Sequence, residues 1–306
     1  MVHRFTQEHI DQWRQDGFVI IPRFFTPTEI APVLDDYESL YQDLAPGPDE
    51  ARELNLREDG ELGTLKGIKE VFQNIDSLPY AASPETNLIS IHPELIAFAR
   101  GLLGVDQVHL YQSHTWAKFT GQADYDQEFH CDFYNHTLTV PGDTPTQRTV
   151  DFILYVTDVD DDCGALHYVT KPDAEKLIGS DTVFVKPELQ MAMKEKERSA
   201  AGPAGTLLAH SIDTFHRGTN LTKSGGKRYT MTVGYKKAGN DNIGFHVWQS
   251  KGEPGFDVFF AHATPAQLFC LGVPLPGDPF WTKRTIKLSQ TRWPNWDMSE
   301  YCDAVK

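Results

Sequence analysis

Residues 127–133 read QEFHCDF, a short run in which apolar and polar side chains alternate. Alternation with a period of two is typical of a β-strand, because successive side chains point to opposite faces. A strand here would place His130 and Asp132 on one face and Cys131 on the other. An imidazole and a carboxylate that converge in this way supply two of the three ligands of a 2-His-1-carboxylate iron site, which leaves three coordination positions open.

Further short strands are predicted around this run. Residues 105–119 alternate, and they place one set of side chains on a single face: Val108, Leu110, Gln112, His114, Trp116 and Lys118. The other strand candidates are residues 149–157, 182–185, 205–212 and 227–235. Short strands separated by turn-rich segments indicate a sandwich or barrel with helices packed outside it. We therefore predict a mainly β fold with flanking helices.

Helical spacing dominates the first hundred residues. A first helix is capped by Thr6 and ends at Gly17, a second begins at Pro27, and a third ends at Gly104. Residues 18–21 form a buried strand between the first two, and residues 45–87 are predicted as surface loop and candidate lid.

We predict one domain over residues 1–306. Residues 1–104 form an N-terminal helical elaboration with a loop, residues 105–240 form the β core, and residues 241–306 form an irregular C-terminal extension.

Composition excludes several classes of protein. The 306 residues carry 28 basic and 43 acidic side chains, a formal net charge of −15, which disfavours nucleic acid or an anionic membrane as a partner. No apolar run approaches the roughly 18 residues of a membrane-spanning helix, and the amino terminus lacks a signal core. The four cysteines are widely spaced, so we expect a reduced, cytoplasmic protein without structural zinc or disulfides.

A second group of polar residues follows far downstream. His216 lies in a turn after the strand candidate 205–212, and Arg228 begins a later strand that continues through Thr230. Arginine pairs with a carboxylate through two parallel hydrogen bonds, so a buried Arg228 suits a small dicarboxylate whose other end chelates the metal. Lys227 is the competing anchor, although a lysine matches the shape of a carboxylate less well.

These segments resemble the phytanoyl-CoA dioxygenase family of Fe(II)- and 2-oxoglutarate-dependent oxygenases. The resemblance is carried by residues 127–133, 149–169 and 205–235, and the opening DGFVI of residues 16–20 is similar as well. It implies a double-stranded β-helix core, also called a jelly roll or cupin-like fold. It also implies that Fe(II), 2-oxoglutarate and O2 are the cofactors. By the same resemblance the iron ligands are His130, Asp132 and His216.

The resemblance assigns further residues to the cosubstrate, and the facing of other side chains in and after the predicted strands gives candidates for the substrate cavity. Arg228 anchors 2-oxoglutarate, and Lys118 and Gln112 are similar to positions near it. The position two after His216 is Gly218 rather than the small hydroxyl residue common in the family, so Thr219 or Thr230 is expected to supply that hydrogen bond. Candidates to line the substrate cavity, each with a plain core or surface role as its alternative, are His114, Tyr134, His136 and His210.

The predicted activity is hydroxylation, or another oxygen-dependent oxidation, of a small molecule with succinate and CO2 as coproducts. Halogenating relatives carry a small residue at the carboxylate position, whereas this chain keeps Asp132. Two alternatives remain open: a zinc-dependent hydrolase that uses the same His/Asp/His site, and a non-catalytic small-molecule-binding protein on the same scaffold. Substrate identity and oligomeric state are not readable from the sequence.

Overall fold

The computed structural model describes residues 3–42, 75–120, 126–137, 141–180, 182–240, 242–244, 256–271, 273–278 and 280–305. Within these residues the strands are β1 Phe18–Ile21, β2 Ile75–Ser77, β3 Val108–Phe119, β4 Thr149–Tyr155, β5 His167–Tyr168, β6 Arg198–Ser199, β7 Leu207–Ser211, β8 His216–Arg217 and β9 Lys227–Lys237. They form a six-stranded sheet in the order β1-β7-β4-β9-β3-β2 and a three-stranded sheet in the order β6-β5-β8. All of the pairings are antiparallel.

The six-stranded sheet has two different faces. Its outer face carries alternate residues of β9 from Tyr229 to Tyr235 and belongs to the main hydrophobic core, where Tyr37 packs on Tyr229 at a ring distance of 5.4 Å. Its inner face carries the intervening residues of β9 and lies against the three-stranded sheet. Phe18 of β1 stacks on Tyr168 of β5 at 4.6 Å, which joins the two sheets.

Helices surround the sheets. The α-helices of the described residues are Gln7–Asp16, Pro27–Tyr41, Pro84–Ile89, Pro93–Leu103, Lys171–Ile178, Gln190–Lys194, Asp257–His262, Pro265–Cys270, Lys283–Arg292 and Ser299–Ala304. Thr6 caps the first helix, as predicted, and Gly17 ends it with a φ of 86°, a left-handed conformation that glycine adopts easily. None of these helices has the length and apolar character needed to cross a lipid bilayer.

The prediction of a strand over residues 127–133 is wrong. Within this run only His130 pairs, in an isolated bridge, and the chain then turns into a short 3-10 helix, Asp132–Asn135. This helix is closed by the backbone N–H of His136, which donates to the carbonyl of Phe133 at 3.0 Å. The sequence alternates up to Phe133, but the backbone leaves the extended conformation after Cys131.

Three other predictions differ from the structure. Residues 182–185 lie in no strand. Residues 241–306 were predicted as an irregular extension, but their described part contains four helices, two of which begin with capping boxes at Thr264 and Thr282. The predicted loop 45–87 contains β2 and, at its end, the start of the helix Pro84–Ile89. Most of the candidate lid, residues 45–74, lies outside the described residues.

Strand β3 changes face at a β-bulge. Its register with β9 shifts between Leu110 and Gln112. Leu110 packs in the outer-face core, whereas Gln112 bonds to an inner-face side chain, and the extra residue lets Tyr111 turn inward too. The prediction that residues 108–118 present one set of side chains to a single face is therefore wrong, because a bulge reverses the alternation.

Candidate metal centre

The two predicted histidine ligands stand directly opposite each other. The backbone N–H of His130 donates to the carbonyl of His216, and the reverse bond also forms, each at 3.0 Å. Residues that exchange both bonds in an antiparallel pair project their side chains to the same face. Their imidazole rings accordingly lie 4.7 Å apart.

Asp132 completes a compact group from the start of its 3-10 helix. Its Oδ1 lies 3.6 Å from Nε2 of His130, and its Oδ2 lies 3.5 Å from Nε2 of His216. One ligand atom from each residue falls within 4.8 Å of the other two. The structure therefore brings the three residues together, although a turn rather than a strand places the carboxylate.

Hydrogen bonds orient both rings toward Asp132. Nδ1 of His130 lies 2.8 Å from the carbonyl oxygen of Glu128, and Nδ1 of His216 lies 3.1 Å from that of Thr214. A carbonyl only accepts, so each Nδ1 carries the proton and each Nε2 keeps its lone pair. This is the arrangement of metal-binding histidines, whose second nitrogen is held by a neighbouring acceptor.

The protonation states also suit a metal. Burial lowers the pKa of His216 to about 3, so its imidazole is neutral at neutral pH. Burial raises the pKa of Asp132, but contacts with His216, His210 and His130 outweigh it and hold that pKa well below its usual range. A neutral imidazole and an ionised carboxylate are the forms that bind metal ions, and two imidazoles with one carboxylate fit non-haem iron.

Side chains outside the predicted set hold the segment before His130 in place. The carboxamide of Gln190 accepts from the N–H of Phe129 at 2.8 Å and donates to the carbonyl of the same residue at 3.2 Å. Gln127 accepts from the N–H of Gly218 at 2.9 Å through its side chain. Nothing in the sequence spacing pointed to Gln190, because its contact joins segments that only the fold brings together.

Arg228 and Lys227 differ sharply in their surroundings. Lys227 lies on the outer face and forms an ion pair with Glu38. Arg228 lies on the inner face, donates to the carbonyl of Gly164 and keeps a buried Nε without a hydrogen-bond partner. No acidic side chain of the described residues forms an ion pair with Arg228, and burial lowers its pKa. This surrounding fits a ligand carboxylate.

The other residues predicted to bind the cosubstrate lie at different positions along the sheet. Lys118 pairs with Arg228 across β3 and β9, and its Nζ donates to the carbonyl of Thr219 at 3.0 Å. Thr230 follows on the inner face, beside Trp116. Gln112 lies six residues from Lys118, about 20 Å along an extended strand.

The predicted substrate-lining histidines take different places. His210 is 1% exposed, and its Nε2 lies 3.4 Å from Oδ2 of Asp132. His136 is 8% exposed and contacts the hydroxyl of Tyr111 through Nδ1 at 2.8 Å. His114 pairs with Thr232 on the inner face and is partly exposed. The backbone of Tyr134 belongs to the 3-10 helix, and its side chain lies outside the described residues.

Sequence reasoning missed Asp151 and Tyr111. Asp151 accepts hydrogen bonds from Tyr111 at 2.5 Å, from Gln112 at 2.8 Å and from Thr149 at 2.6 Å. It is completely buried within β4, whose seven residues are all buried. A single acidic residue in an otherwise apolar strand was the available signal.

A family model described as phytanoyl-CoA dioxygenase (PhyH) matches residues 13–228. No curated protein matches the sequence. Among solved structures, the chain is similar to the epimerase SnoN in complex with Fe3+, alpha ketoglutarate and nogalamycin RO. The sequence identity is 17%, the TM-score is 0.56, and the match covers 81% of this chain and 92% of SnoN.

Two further solved structures are similar. EctD from S. alaskensis, in its apoform, has 17% identity and a TM-score of 0.56, with 82% of this chain and 86% of EctD covered. HygX from Streptomyces hygroscopicus, with nickel, 2-oxoglutarate and hygromycin B bound, has 16% identity and a TM-score of 0.50, with 77% and 88% covered. At these identities the likeness shows the fold alone. It confirms the predicted mainly β fold with a jelly-roll core and flanking helices.

Proposed function

The chain belongs to the phytanoyl-CoA dioxygenase family, and we propose that it is an Fe(II)- and 2-oxoglutarate-dependent oxygenase that oxidises a small molecule. The family uses Fe(II), 2-oxoglutarate and O2. One observation carries the proposal: a His-Asp-His group and a partly buried arginine, without an acidic partner among the described residues, lie between the same two sheets. Such a pair suits a metal and a dicarboxylate together.

Each residue has a role in this proposal. His130, Asp132 and His216 would hold Fe(II), and Arg228 would bind the distal carboxylate of 2-oxoglutarate. When bound, iron and 2-oxoglutarate supply the activation of dioxygen and the oxidation of the substrate, with succinate and CO2 as coproducts. Because Asp132 retains the carboxylate, we assign hydroxylation or a related C–H oxidation to the enzyme rather than halogenation.

The remaining side chains would orient the cosubstrate and exclude water. Trp116, Thr230 and Tyr155 form a row across β3, β9 and β4, next to Arg228 and Lys118 along the strands. Bulky side chains in this row would close that end of the site, where water would otherwise compete for Arg228. Gln112 lies toward the other end, so we assign it to the chamber wall rather than to 2-oxoglutarate.

Location and organisation are part of the same proposal. We assign the enzyme to the cytoplasm, supported by four cysteines that are all free thiols. We further propose that residues 1–306 act as one oxygenase domain with a small-molecule substrate.

Anaerobic titration tests the proposal. Metal-free protein receives Fe(II) and then 2-oxoglutarate, and the visible charge-transfer band of the chelate is recorded. We expect a band in the wild type and in Lys227→Ala, no band in Asp132→Ala, and a 2-oxoglutarate affinity at least about 100-fold weaker in Arg228→Ala. Lys227→Ala is the matched control, because it removes the adjacent cation from the opposite face.

Absence of a band after Fe(II) and 2-oxoglutarate are added to folded wild type that was metal-free at the start would contradict the proposal. A band without succinate formation across candidate substrates and in their absence would favour a binding protein on the same scaffold. Zinc-dependent hydrolysis that survives Arg228→Ala would favour a hydrolase.

A further inference from the structure

The 3-10 helix Asp132–Asn135 is attached to the inner face of the large sheet at both of its ends. At its start, Asp132 contacts His210 of β7. Immediately after its end, His136 contacts Tyr111 of β3. We call the chain of side chains Tyr168, His210 and Asp132 the first arm, and the chain Asp151, Tyr111 and His136 the second arm.

The proton positions in the first arm follow from the acceptor at its end. An ionised Asp132 only accepts, so Nε2 of His210 carries the proton, at 3.4 Å from Oδ2. Nδ1 of His210 is then the acceptor for the hydroxyl of Tyr168, at 3.1 Å. Both residues are almost completely buried. His210 therefore acts through the residues that it contacts, namely Asp132 and the ring of His216 at 4.8 Å.

The second arm is fixed by Asp151 in the same way. The hydroxyl of Tyr111 donates a hydrogen bond to Asp151 at 2.5 Å, and burial together with Asp151 raises the pKa of Tyr111 well above its usual value, so the proton stays on Tyr111. Because its own proton points to Asp151, the Tyr111 oxygen accepts from Nδ1 of His136 at 2.8 Å, as it does from Gln112 at 3.0 Å. The Asp151 carboxylate thus determines which nitrogen of His136 carries its proton.

The second arm crosses a strand that has no side chain at the crossing point. Gly234 of β9 pairs with Asp151 on one side and with Gln112 on the other. A Cβ at Gly234 would lie 2.5 Å from a ring carbon of Tyr111 and 2.6 Å from Oδ1 of Asp151. The glycine and the β-bulge at Tyr111 are therefore both needed for the arm to reach from β4 to His136.

Burying Asp151 is costly in itself. It is 0% exposed, and its side-chain partners are the uncharged Tyr111, Gln112 and Thr149, with no lysine or arginine of the described residues in an ion pair with it. A carboxylate without a counter-ion in a core strand is generally less favourable than an apolar residue of similar size. Because Asp151 is inaccessible to any ligand, a role that offsets this cost must act through the side chains that donate to it, of which only Tyr111 contacts His136.

We propose that the two arms position the helix that carries Asp132, with His210 and Tyr111 as positioning residues for the metal site. The proposal rests on the proposed function in one respect, namely that Asp132 is a metal ligand. Partners that fix the ligands of a metal typically contribute 10–100-fold to its affinity.

The test is the affinity for Fe(II) alone, measured anaerobically by calorimetry on folded, metal-free protein. We expect His210→Leu and Tyr111→Phe each to weaken Fe(II) binding roughly 10–100-fold. His210→Gln should retain most of the affinity, because its amide nitrogen can still donate to Asp132. Tyr235→Phe is the matched control, since it removes an equally buried tyrosine hydroxyl, bonded to the carbonyl of Ser90 at 2.5 Å, from the outer face of the same sheet.

A double variant shows whether the two arms act together on one helix or independently of each other. If both arms hold the same helix, His210→Leu with Tyr111→Phe should lose less affinity than the product of the two single losses. Should Tyr111→Phe fail to fold, His136→Leu removes the far end of the same arm at a less buried position, and the same loss is expected.

The two proposals can fail separately. A wild type that binds no Fe(II) contradicts the proposed function. A wild type that binds Fe(II) while His210→Leu and Tyr111→Phe bind it as tightly as Tyr235→Phe contradicts only the positioning role. Equal losses in His210→Gln and His210→Leu would also contradict it, because the donor to Asp132 would then be irrelevant.

Discussion

The two faces of the six-stranded sheet treat polar groups differently. On the outer face, Lys227 is paired with Glu38, and the hydroxyl of Tyr37 donates to the carbonyl of Thr230 at 2.9 Å. On the inner face, Arg228 has no acidic partner and Asp151 has no basic one among the described residues. Polar groups that are satisfied within the fold serve stability, whereas charges left without a counter-charge in a core indicate a ligand or a site to be positioned.

The sharpest test of this comparison replaces each of the two neighbouring cations, Arg228 and Lys227, by methionine. Arg228→Met should lose about 3–5 kcal/mol of 2-oxoglutarate binding, which is about 100-fold or more, because a buried charge pair with the ligand is removed. The unfolding free energy of the ligand-free variant should stay within about 1 kcal/mol of the wild type, since no ion pair is lost. Ligand titration and chemical denaturation measure the two quantities.

The control for that prediction is Lys227→Met, which should leave 2-oxoglutarate binding unchanged. A loss of more than about 3 kcal/mol of stability in ligand-free Arg228→Met would show that the arginine is structural. The distinction between the two faces would then not hold at this position.

A second prediction concerns the crossing point on β9. Gly234→Ala should lower the unfolding free energy by about 1–3 kcal/mol, because its Cβ overlaps Asp151 and Tyr111, and it should also weaken Fe(II) binding. Val233→Ala, on the outer face of the same strand, should lower stability by a similar amount but leave Fe(II) binding unchanged. Chemical denaturation and Fe(II) titration of both variants measure these effects. Equal Fe(II) affinities of Gly234→Ala and Val233→Ala would contradict the distinction between the two faces.

A third prediction concerns the helix that covers the outer face. Burial raises the pKa of Glu29, but hydrogen bonds from Arg4 and Thr26 outweigh it and lower the pKa from 4.5 to about 2. A depressed folded-state pKa adds stability above the unfolded pKa, and this stability is lost as pH falls through the folded pKa. Glu29→Gln should therefore lose about 1–2 kcal/mol at pH 7, a deficit that shrinks as the pH falls from 4.5 toward 2.

Denaturation of both proteins at several pH values measures that deficit. A deficit that stays constant from pH 7 down to about 3 would mean that packing, rather than charge, explains the loss. It would also show that Glu29 is not stabilised by its partner Arg4 in the way expected for the charges of the outer face.

The smallest effect is expected at Glu38. Both partners of its ion pair with Lys227 are more than two-fifths exposed, so Glu38→Gln should cost less than about 1 kcal/mol. The difference should become smaller in about 1 M salt, which screens exposed charges. Denaturation at low and high salt checks this, and a large salt-independent loss would mean that the pair contributes like a buried one.

Much of the fold class and the family could be predicted from the sequence. A strong residue pattern joins the run around His130 to the later His216 and Arg228. Capping residues such as Thr6 are local signals for helices. The alternation of β9 places Arg228 and Lys227 on opposite faces, but only the fold shows which face lies inward. The metal, cosubstrate and substrate roles of the site residues remain predictions.

The rest depends on contacts between distant segments. The turn at Asp132 directly follows the bridge between His130 and His216, a long-range contact that the local alternation could not reveal. The bulge at Tyr111 reverses the facing of β3, and no rule of spacing indicates where an extra residue will sit. Helices after residue 256 were missed because capping signals there were outweighed by frequent Pro and Gly.

The direct pairing of His130 with His216 has a consequence for folding kinetics. The two histidines are 86 residues apart in the chain, so the pair can form only after a long loop has closed. Early folding species therefore lack the group of side chains that we propose as the metal site. A metal that binds only the completed structure stabilises it after the rate-limiting barrier, so it slows unfolding and leaves the refolding rate nearly unchanged.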